Sequence, residues 1–92
     1  MLLILNIQMG WKMKIHYKKL VQPFFDDVWN GDKRFELRKN DCDYEVNDLI
    51  ILEEYDPVSN TYSGRKIRAH IIYVLKDYDG LEEGYCILGL LF

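Results

Sequence analysis

The pattern of apolar and polar residues predicts five β-strands, by alternation in some stretches of the chain and by runs of apolar residues in others. Alternate side chains of a strand point to opposite faces, so one alternate set faces the core. The predicted strands cover residues 14–20, 33–39, 49–55, 65–76 and 85–92. In the first strand, Ile15 and Tyr17 form the apolar set, and Lys14, His16 and Lys18 form the polar set.

The last two predicted strands differ from the others in length and polarity. Residues 65–76 are long for one strand, which indicates a strand that bends around a barrel. Its predicted inward side chains are Ile67, Ala69, Ile71 and Tyr73. Residues 85–92 are apolar on both faces, as is typical of an interior strand that closes a sheet.

One helix is predicted between the first two strands. Pro23 suits its first helical position, and Asp26 and Asp27 suit the positive end of its dipole. Its apolar face consists of Phe25, Val28 and Trp29. Gly31 is expected to end the helix, because glycine readily adopts the left-handed conformation that follows many helices.

These elements favour an α+β fold with one early helix. No alternation of strands and helices runs along the chain, which excludes a Rossmann-like fold and favours a small, strongly bent antiparallel or mixed sheet. The 92 residues suffice for one domain, and their apolar fraction of 49% is too high for a disordered chain. Residues 1–12 are expected to be an extension, either a strand or a tail, before a domain at residues 13–92.

Charge is segregated along the chain, although the net charge is only −3. Residues 1–39 carry eight Lys and Arg against four acidic residues, whereas residues 40–64 carry seven acidic residues and no basic one. Local charge therefore bears more on the choice of partner than the total does. Cys42 and Cys86 lack metal or disulfide spacing, and the short apolar start lacks the features of an export signal. We expect reduced thiols and a cytoplasmic protein without membrane association.

The stretch from Gly31 to Arg38 carries the most informative chemistry. The helix ends there and a charged strand follows at once, which is expected to place Lys33 at the mouth of the sheet. The alternation predicts an outward row of Arg34, Glu36 and Arg38, opposite an apolar set of Phe35 and Leu37. Guanidinium groups donate to phosphate or base edges, and a carboxylate between them accepts from an amino group. The alternative is a solvated strand face with weak ion pairs.

Gly31, Lys33, Glu36 and Arg38 fit the pattern G-x-K-x-x-E-x-R, and by this signature the chain resembles ASCH domains of the PUA-like superfamily. The resemblance covers about residues 13–92 and is closest to a small branch of bacterial and phage proteins. Further matching segments follow in the same order: Lys39-Asn40-Asp41, Val46-Asn47-Asp48, Gly64-Arg65, Gly80-Leu81-x-x-Gly84-Tyr85 and Leu88-Gly89. Asn47 stands where glycine is frequent, a mild change because asparagine also accepts positive φ.

The resemblance implies a PUA-like β-barrel of about five or six strands, with a cleft that binds RNA or a nucleotide. Lys33 and Arg38 would hold phosphate or carbonyl oxygens, and Glu36 would read an amino group. The surrounding positive field would come from Arg34, Lys39, Arg65 and Lys66. The acidity of the chain favours a short RNA or a single nucleotide over a long backbone contact. No cofactor is implied.

Two other functions remain open at this stage. Some ASCH-like proteins are amidohydrolases that deacylate a modified cytidine with a lysine and, three residues later, a threonine. Here Lys33 matches, but Glu36 replaces the threonine, so a hydrolase would need Glu36 as general base. The second alternative is a protein-interaction module whose acidic segment, residues 41–56, contacts a basic partner or mimics nucleic acid.

Other candidate sites are weaker. The acidic residues Asp41, Asp43 and Glu45 lack the spacing of a calcium loop, and neither histidine belongs to a metal motif, so no metal site is expected. Several tyrosines could supply a face for base stacking. These are Tyr17, Tyr55, Tyr62, Tyr73 and Tyr85.

Overall fold

The computed structural model describes residues 12–92, and the predicted extension lies outside this range except for its last residue. The predicted helix and all five predicted strands are present. In chain order they are β1 (Ile15–Leu20), α1 (Phe24–Trp29), β2 (Phe35–Lys39), β3 (Leu49–Asp56), β4 (Thr61–Lys76) and β5 (Tyr85–Leu91). No helix in this range is long and apolar enough to cross a membrane.

The strands form one mixed sheet in the order β1-β3-β4-β5-β2. β1 runs parallel to β3, and the other neighbouring strands are antiparallel. β4, of 16 residues, pairs with β3 along one half and β5 along the other, so the sheet curls around it. The domain is therefore mostly β, a curled half-barrel with one short helix.

The two edge strands of the half-barrel, β1 and β2, approach each other at one point. There the Arg38 Nη2 on β2 donates a hydrogen bond to the Lys19 carbonyl oxygen on β1, at 2.7 Å. The two edge strands are thus joined by a side-chain hydrogen bond and not by backbone hydrogen bonds. This bond gives a partner to a carbonyl group on the open edge of β1.

The core lies on the inner face of the curled sheet, where α1 packs against it. Phe25 and Val28 of α1 are almost fully buried, whereas Trp29 remains 52% exposed and stacks on Phe25 with ring centroids 5.8 Å apart. Gly31 ends the helix with φ +82°, as predicted. The sheet contributes Leu20, Ile50, Leu52, Ile67, Ala69, Ile71, Cys86, Leu88 and Leu90 to the core.

The inward set predicted for the long strand is correct only up to Ile71. A register shift between Ile71 and Tyr73 moves one residue out of the ladder, and the alternation changes face there. Tyr73 is 62% exposed, and Val74 packs against the core instead.

The faces predicted for both edge strands are wrong. On β1, Ile15 and Tyr17 are exposed and His16 is buried; on β2, Phe35 and Leu37 are exposed and Glu36 is 2% exposed. The register decides this, because Glu36 pairs with Leu88, whose side chain lies in the core. Alternate residues share a face, so the charged row of β2 turns inward and its apolar row outward.

Candidate functional site

Glu36 forms the centre of a charged cluster on the inner face of β2. The Lys33 Nζ donates a hydrogen bond to Glu36 Oε2 at 2.6 Å. The Arg38 guanidinium approaches Glu36 Oε1 through Nε and Nη2, each at 3.0 Å. A buried carboxylate is costly unless it is paired and hydrogen-bonded, and these two cations provide both. The three signature side chains therefore converge on one point.

Each cation in this cluster is also held by a backbone carbonyl. Lys33 Nζ donates to the Phe35 carbonyl oxygen at 2.7 Å, and Arg38 donates to that of Lys19. Their side chains keep 18% and 20% of their surface exposed. Lys33 and Arg38 therefore have fixed positions, and each reaches solvent with part of its charged surface.

A cleft of about 470 Å³ opens beside this cluster, between the end of β1, the start of α1 and β2. Its walls include the apolar residues Leu20, Val21, Phe24, Phe35 and Leu37. The exposed fractions of Phe24 and Phe35 are 47% and 46%. The Lys33 Nζ lies 5.9 Å from the centroid of the Phe24 ring and 4.7 Å from that of Phe35. The cleft thus combines a cation with two accessible aromatic rings.

Six residues of this cleft were not predicted as site residues, and the polar or aromatic ones among them are Lys19, Phe24 and Phe35. The alternation assigned Phe35 to the core, and Phe24 stands one position before the predicted helix face. The available signal concerned Phe35, which directly follows the charged segment 31–34. The tyrosines considered for base stacking do not line this cleft.

Arg34 and Lys39, predicted to surround the site, lie on its flanks. Arg34 is exposed, and its Nε donates to the Gly31 carbonyl oxygen at 3.0 Å. Lys39 is exposed at the end of β2. Neither side chain lines the cleft.

Arg65 and Lys66, which were also predicted to contribute to this field, do not line the cleft and pair with carboxylates. Arg65 binds Glu54 through Nε at 2.9 Å and Asp26 through Nη2 at 3.0 Å. Lys66 lies 3.7 Å from a carboxylate oxygen of Glu53. Their charges are thus balanced locally, away from the cleft.

A second polar cluster lies on the inner face of β1, centred on Asp48. His16 Nε2 lies 2.8 Å from Asp48 Oδ2, and the backbone N–H groups of Lys14 and Glu45 donate to the same carboxylate. Burial alone would raise the pKa of the Asp48 carboxyl, but the hydrogen bonds from His16 and these two amides outweigh it and hold the pKa below its ordinary value. Asp48 therefore joins the acidic loop to β1.

Other side chains of the acidic loop contact β1 and Lys14, the residue before it. Lys14 lies within 3.5 Å of a carboxylate oxygen of Asp43, and Lys18 donates to the Cys42 sulfur at 2.8 Å. Tyr44 is buried, and burial raises the pKa of its hydroxyl to about 12. Within residues 12–92, no group of three or more His, Cys, Asp or Glu side chains is arranged to hold a metal ion.

Comparisons with known proteins found a family model and a phage protein that match this chain. Residues 15–90 match the family described as "Domain of unknown function (DUF3850)". The chain is also 44% identical over 70 residues to the "Uncharacterized 12.9 kDa protein in GpA 3'region" of Escherichia phage P2, an alignment that covers 76% of this chain and 62% of that protein. The chain thus spans less than two thirds of this relative's length. Because the family match extends over nearly all of the described residues, from the start of β1 to Leu90 in β5, the chain belongs to the DUF3850 family.

Proposed function

We propose that this DUF3850 chain is an ASCH-type domain with a PUA-like half-barrel, and that it binds RNA or a nucleotide in the cleft beside Glu36. The observation that supports the proposal is the convergence of Lys33, Glu36 and Arg38, the signature residues, in one cleft with two exposed phenylalanine rings. Residues 13–92 would form this domain.

The charge of the cluster suits an anionic or carbonyl oxygen. Lys33 and Arg38 carry two positive charges, and Glu36 balances one of them. The surplus positive charge lies at the edge of a largely apolar cleft, where charge-assisted hydrogen bonds are stronger than in bulk water. A phosphate or base carbonyl would take the donors of Lys33 and Arg38 that face solvent.

Glu36 has a different role in this proposal from the one the sequence suggested. Its carboxylate is buried and already accepts hydrogen bonds from both cations, so it orients them and does not itself read an amino group. The base would stack on Phe24 or Phe35, whose faces are accessible. Flat aromatic faces beside a cation are a common arrangement in single-strand recognition.

The geometry favours binding over hydrolysis. To act as a general base, a carboxylate needs an oxygen that contacts a water molecule and is free to accept a proton from it. Both oxygens of Glu36 accept from a cation within 3.0 Å, and its side chain is 3% exposed. Proton acceptance would therefore break an ion pair inside the domain.

The experiment is an NMR titration of the chain with 5′-CMP and with a hexanucleotide RNA, comparing Lys33→Gln with the control Lys39→Gln. Both variants remove one lysine charge at an end of β2, but only Lys33 lines the cleft. Loss of a charge-assisted hydrogen bond costs about 1.5–3 kcal/mol, so Lys33→Gln is expected to weaken binding roughly 10-fold to 150-fold. Lys39→Gln is expected to change it by less than about threefold.

If Lys33→Gln and Lys39→Gln weaken ligand binding equally, the result would contradict a specific site in the cleft, because it would show only an effect of the total positive charge. Absence of binding by the wild type to both ligands would refute the proposed function. Incubation of the wild type with N4-acylated cytidine distinguishes binding from hydrolysis. Release of cytidine would establish hydrolysis.

A further inference from the structure

A second groove lies next to the cleft, on the other side of the turn that joins β1 to α1. It measures about 630 Å³, and Val21 in this turn lines both depressions. The apolar wall of the groove includes Pro57 and Val58 from the β3–β4 hairpin, and Tyr55 forms its aromatic part. The two sites are therefore neighbours, separated by the width of one turn.

Lys19 stands at the junction of the cleft and the groove. Its side chain lines the cleft, and its Nζ lies 4.3 Å from the centroid of the Tyr55 ring, which lines the groove. The Lys19 side chain is exposed, and within the described part of the chain its ammonium forms no salt bridge. The carbonyl of the same residue fixes Arg38. This leaves a positive charge between the two depressions.

The groove carries two carboxylates, Glu54 and Asp56, which differ in their partners. Glu54 accepts hydrogen bonds from Arg65, Ser63 and Gln22, which hold its pKa at about 2 and engage both of its oxygens. Asp56 accepts from the backbone N–H of Val58, which holds its pKa below the ordinary value, and it forms no salt bridge within residues 12–92. Asp56 would therefore repel a phosphate, whereas an exocyclic amino group of an uncharged base would find an acceptor there.

We propose that the cleft and the groove bind adjacent nucleotides of one single strand, so that the minimal full ligand is a dinucleotide. This inference rests on the proposed function of the cleft. The first nucleotide occupies the cleft, Lys19 contacts the phosphate that links the two nucleotides, and the second base stacks on Tyr55. Because Asp56 offers a carboxylate oxygen to this base, the second position prefers cytosine or adenine over uracil.

The test compares the affinities of 5′-CMP and of two 5′-phosphorylated dinucleotides, pCpC and pCpU, measured by NMR titration. For the wild type, pCpC is expected to bind about tenfold or more tightly than 5′-CMP, because it adds a stacked base and a second phosphate. pCpU is expected to bind more weakly than pCpC, since uracil at the second position lacks the amino group.

Two variants assign this gain to the groove. Tyr55→Ala removes the stacking face, and Lys19→Gln removes the charge while leaving the carbonyl that holds Arg38. Each is expected to lose most of the gain from 5′-CMP to pCpC, and Tyr55→Ala, which lies outside the cleft, is also expected to keep the affinity for 5′-CMP within about threefold. Tyr73→Ala, an exposed tyrosine on the neighbouring strand β4, is the control and is expected to behave like the wild type.

Equal affinity of the wild type for 5′-CMP and pCpC would overturn the second subsite while leaving the cleft intact. Equal affinity for pCpC and pCpU would overturn its base preference. A gain that persists in both Tyr55→Ala and Lys19→Gln would place the second nucleotide elsewhere and so overturn the assignment. Absence of binding of every ligand would refute the proposed function itself, and the second subsite with it.

Discussion

Replacing Glu36 with glutamine tests the central ion cluster most directly. The substitution keeps the size of the side chain and removes its charge. The Lys33 ammonium, 2.6 Å from Oε2, would then face either an amide N–H₂ or a neutral oxygen. Arg38 would likewise lose its carboxylate partner at 3.0 Å. Two partly buried cations would remain on the inner face of the sheet without a counter-charge.

The expected loss of stability follows from the number and exposure of these contacts. Breaking a fully buried pair by removing one partner costs about 3–5 kcal/mol. The cost here is smaller, because Lys33 and Arg38 keep 18% and 20% of their side-chain surface in water and each retains a backbone acceptor. We expect Glu36→Gln to lower the free energy of unfolding by about 2 kcal/mol, the cost of one charge-assisted hydrogen bond.

Urea unfolding at neutral pH measures this loss, and thermal unfolding is expected to show a decrease in Tm on the order of 10 °C. Glu53→Gln is the matched control, since Glu53 is half-buried on β3 and pairs with Lys66 at 3.7 Å. It is expected to cost less than about 1 kcal/mol. A Glu36→Gln variant as stable as the Glu53→Gln control would refute the conclusion that Glu36 neutralises the two cations in the fold.

Three further substitutions test other parts of the structure. The pKa of Asp48 is lower in the folded state than its ordinary value of 3.8, so the ionised carboxylate stabilises the fold above that pH, and this stability is lost as the pH falls through the folded value. In urea unfolding between pH 2 and 7, Asp48→Asn is therefore expected to flatten the decline of stability toward low pH. A pH profile equal to that of the wild type would contradict this. Gly89→Ala places a Cβ 3.2 Å from the Tyr73 Cβ, where the register of β4 shifts. We expect this close contact to lower the free energy of unfolding, measured in urea, by about 1–2 kcal/mol. A variant as stable as the wild type would show that β4 and β5 can move apart there. Phe35→Ala is expected to weaken binding of 5′-CMP about fivefold or more, because it removes a stacking face. Little change in Tm is expected, since Phe35 is 46% exposed. A large decrease in Tm with unchanged affinity would show that Phe35 stabilises the fold and does not bind the ligand.

Local sequence patterns determined the elements and the position of the signature. Alternation or a run of apolar residues defines each of the five strands over a few residues, and the short apolar repeat with Gly31 defines α1. The resemblance to ASCH domains implied that Lys33, Glu36 and Arg38 act together, and their side chains converge. These properties depend on backbone geometry and on residues close in sequence, so the chain alone is sufficient to predict them.

Tertiary structure decided which face of each edge strand is buried. Alternation places Glu36 on one face of β2 and Phe35 and Leu37 on the other, but it does not tell which face meets the core. Hydrophobicity alone suggests that the two apolar side chains are buried, whereas Glu36 is the buried residue. The pairing of Glu36 with Leu88 brings the carboxylate to the inner face, and Lys33 and Arg38 compensate for its burial there.

The register also decided the features that join distant parts of the chain. The shift beyond Ile71 turns Tyr73 outward, and the curl of the sheet brings the Lys19 carbonyl within reach of Arg38. Sequence alone could not assign Phe24 and Lys19 to the cleft, because it is formed by segments that meet only when the two edges of the sheet approach each other. Strand pairing and sheet curvature are long-range properties, whereas periodicity records only the two faces of each isolated strand.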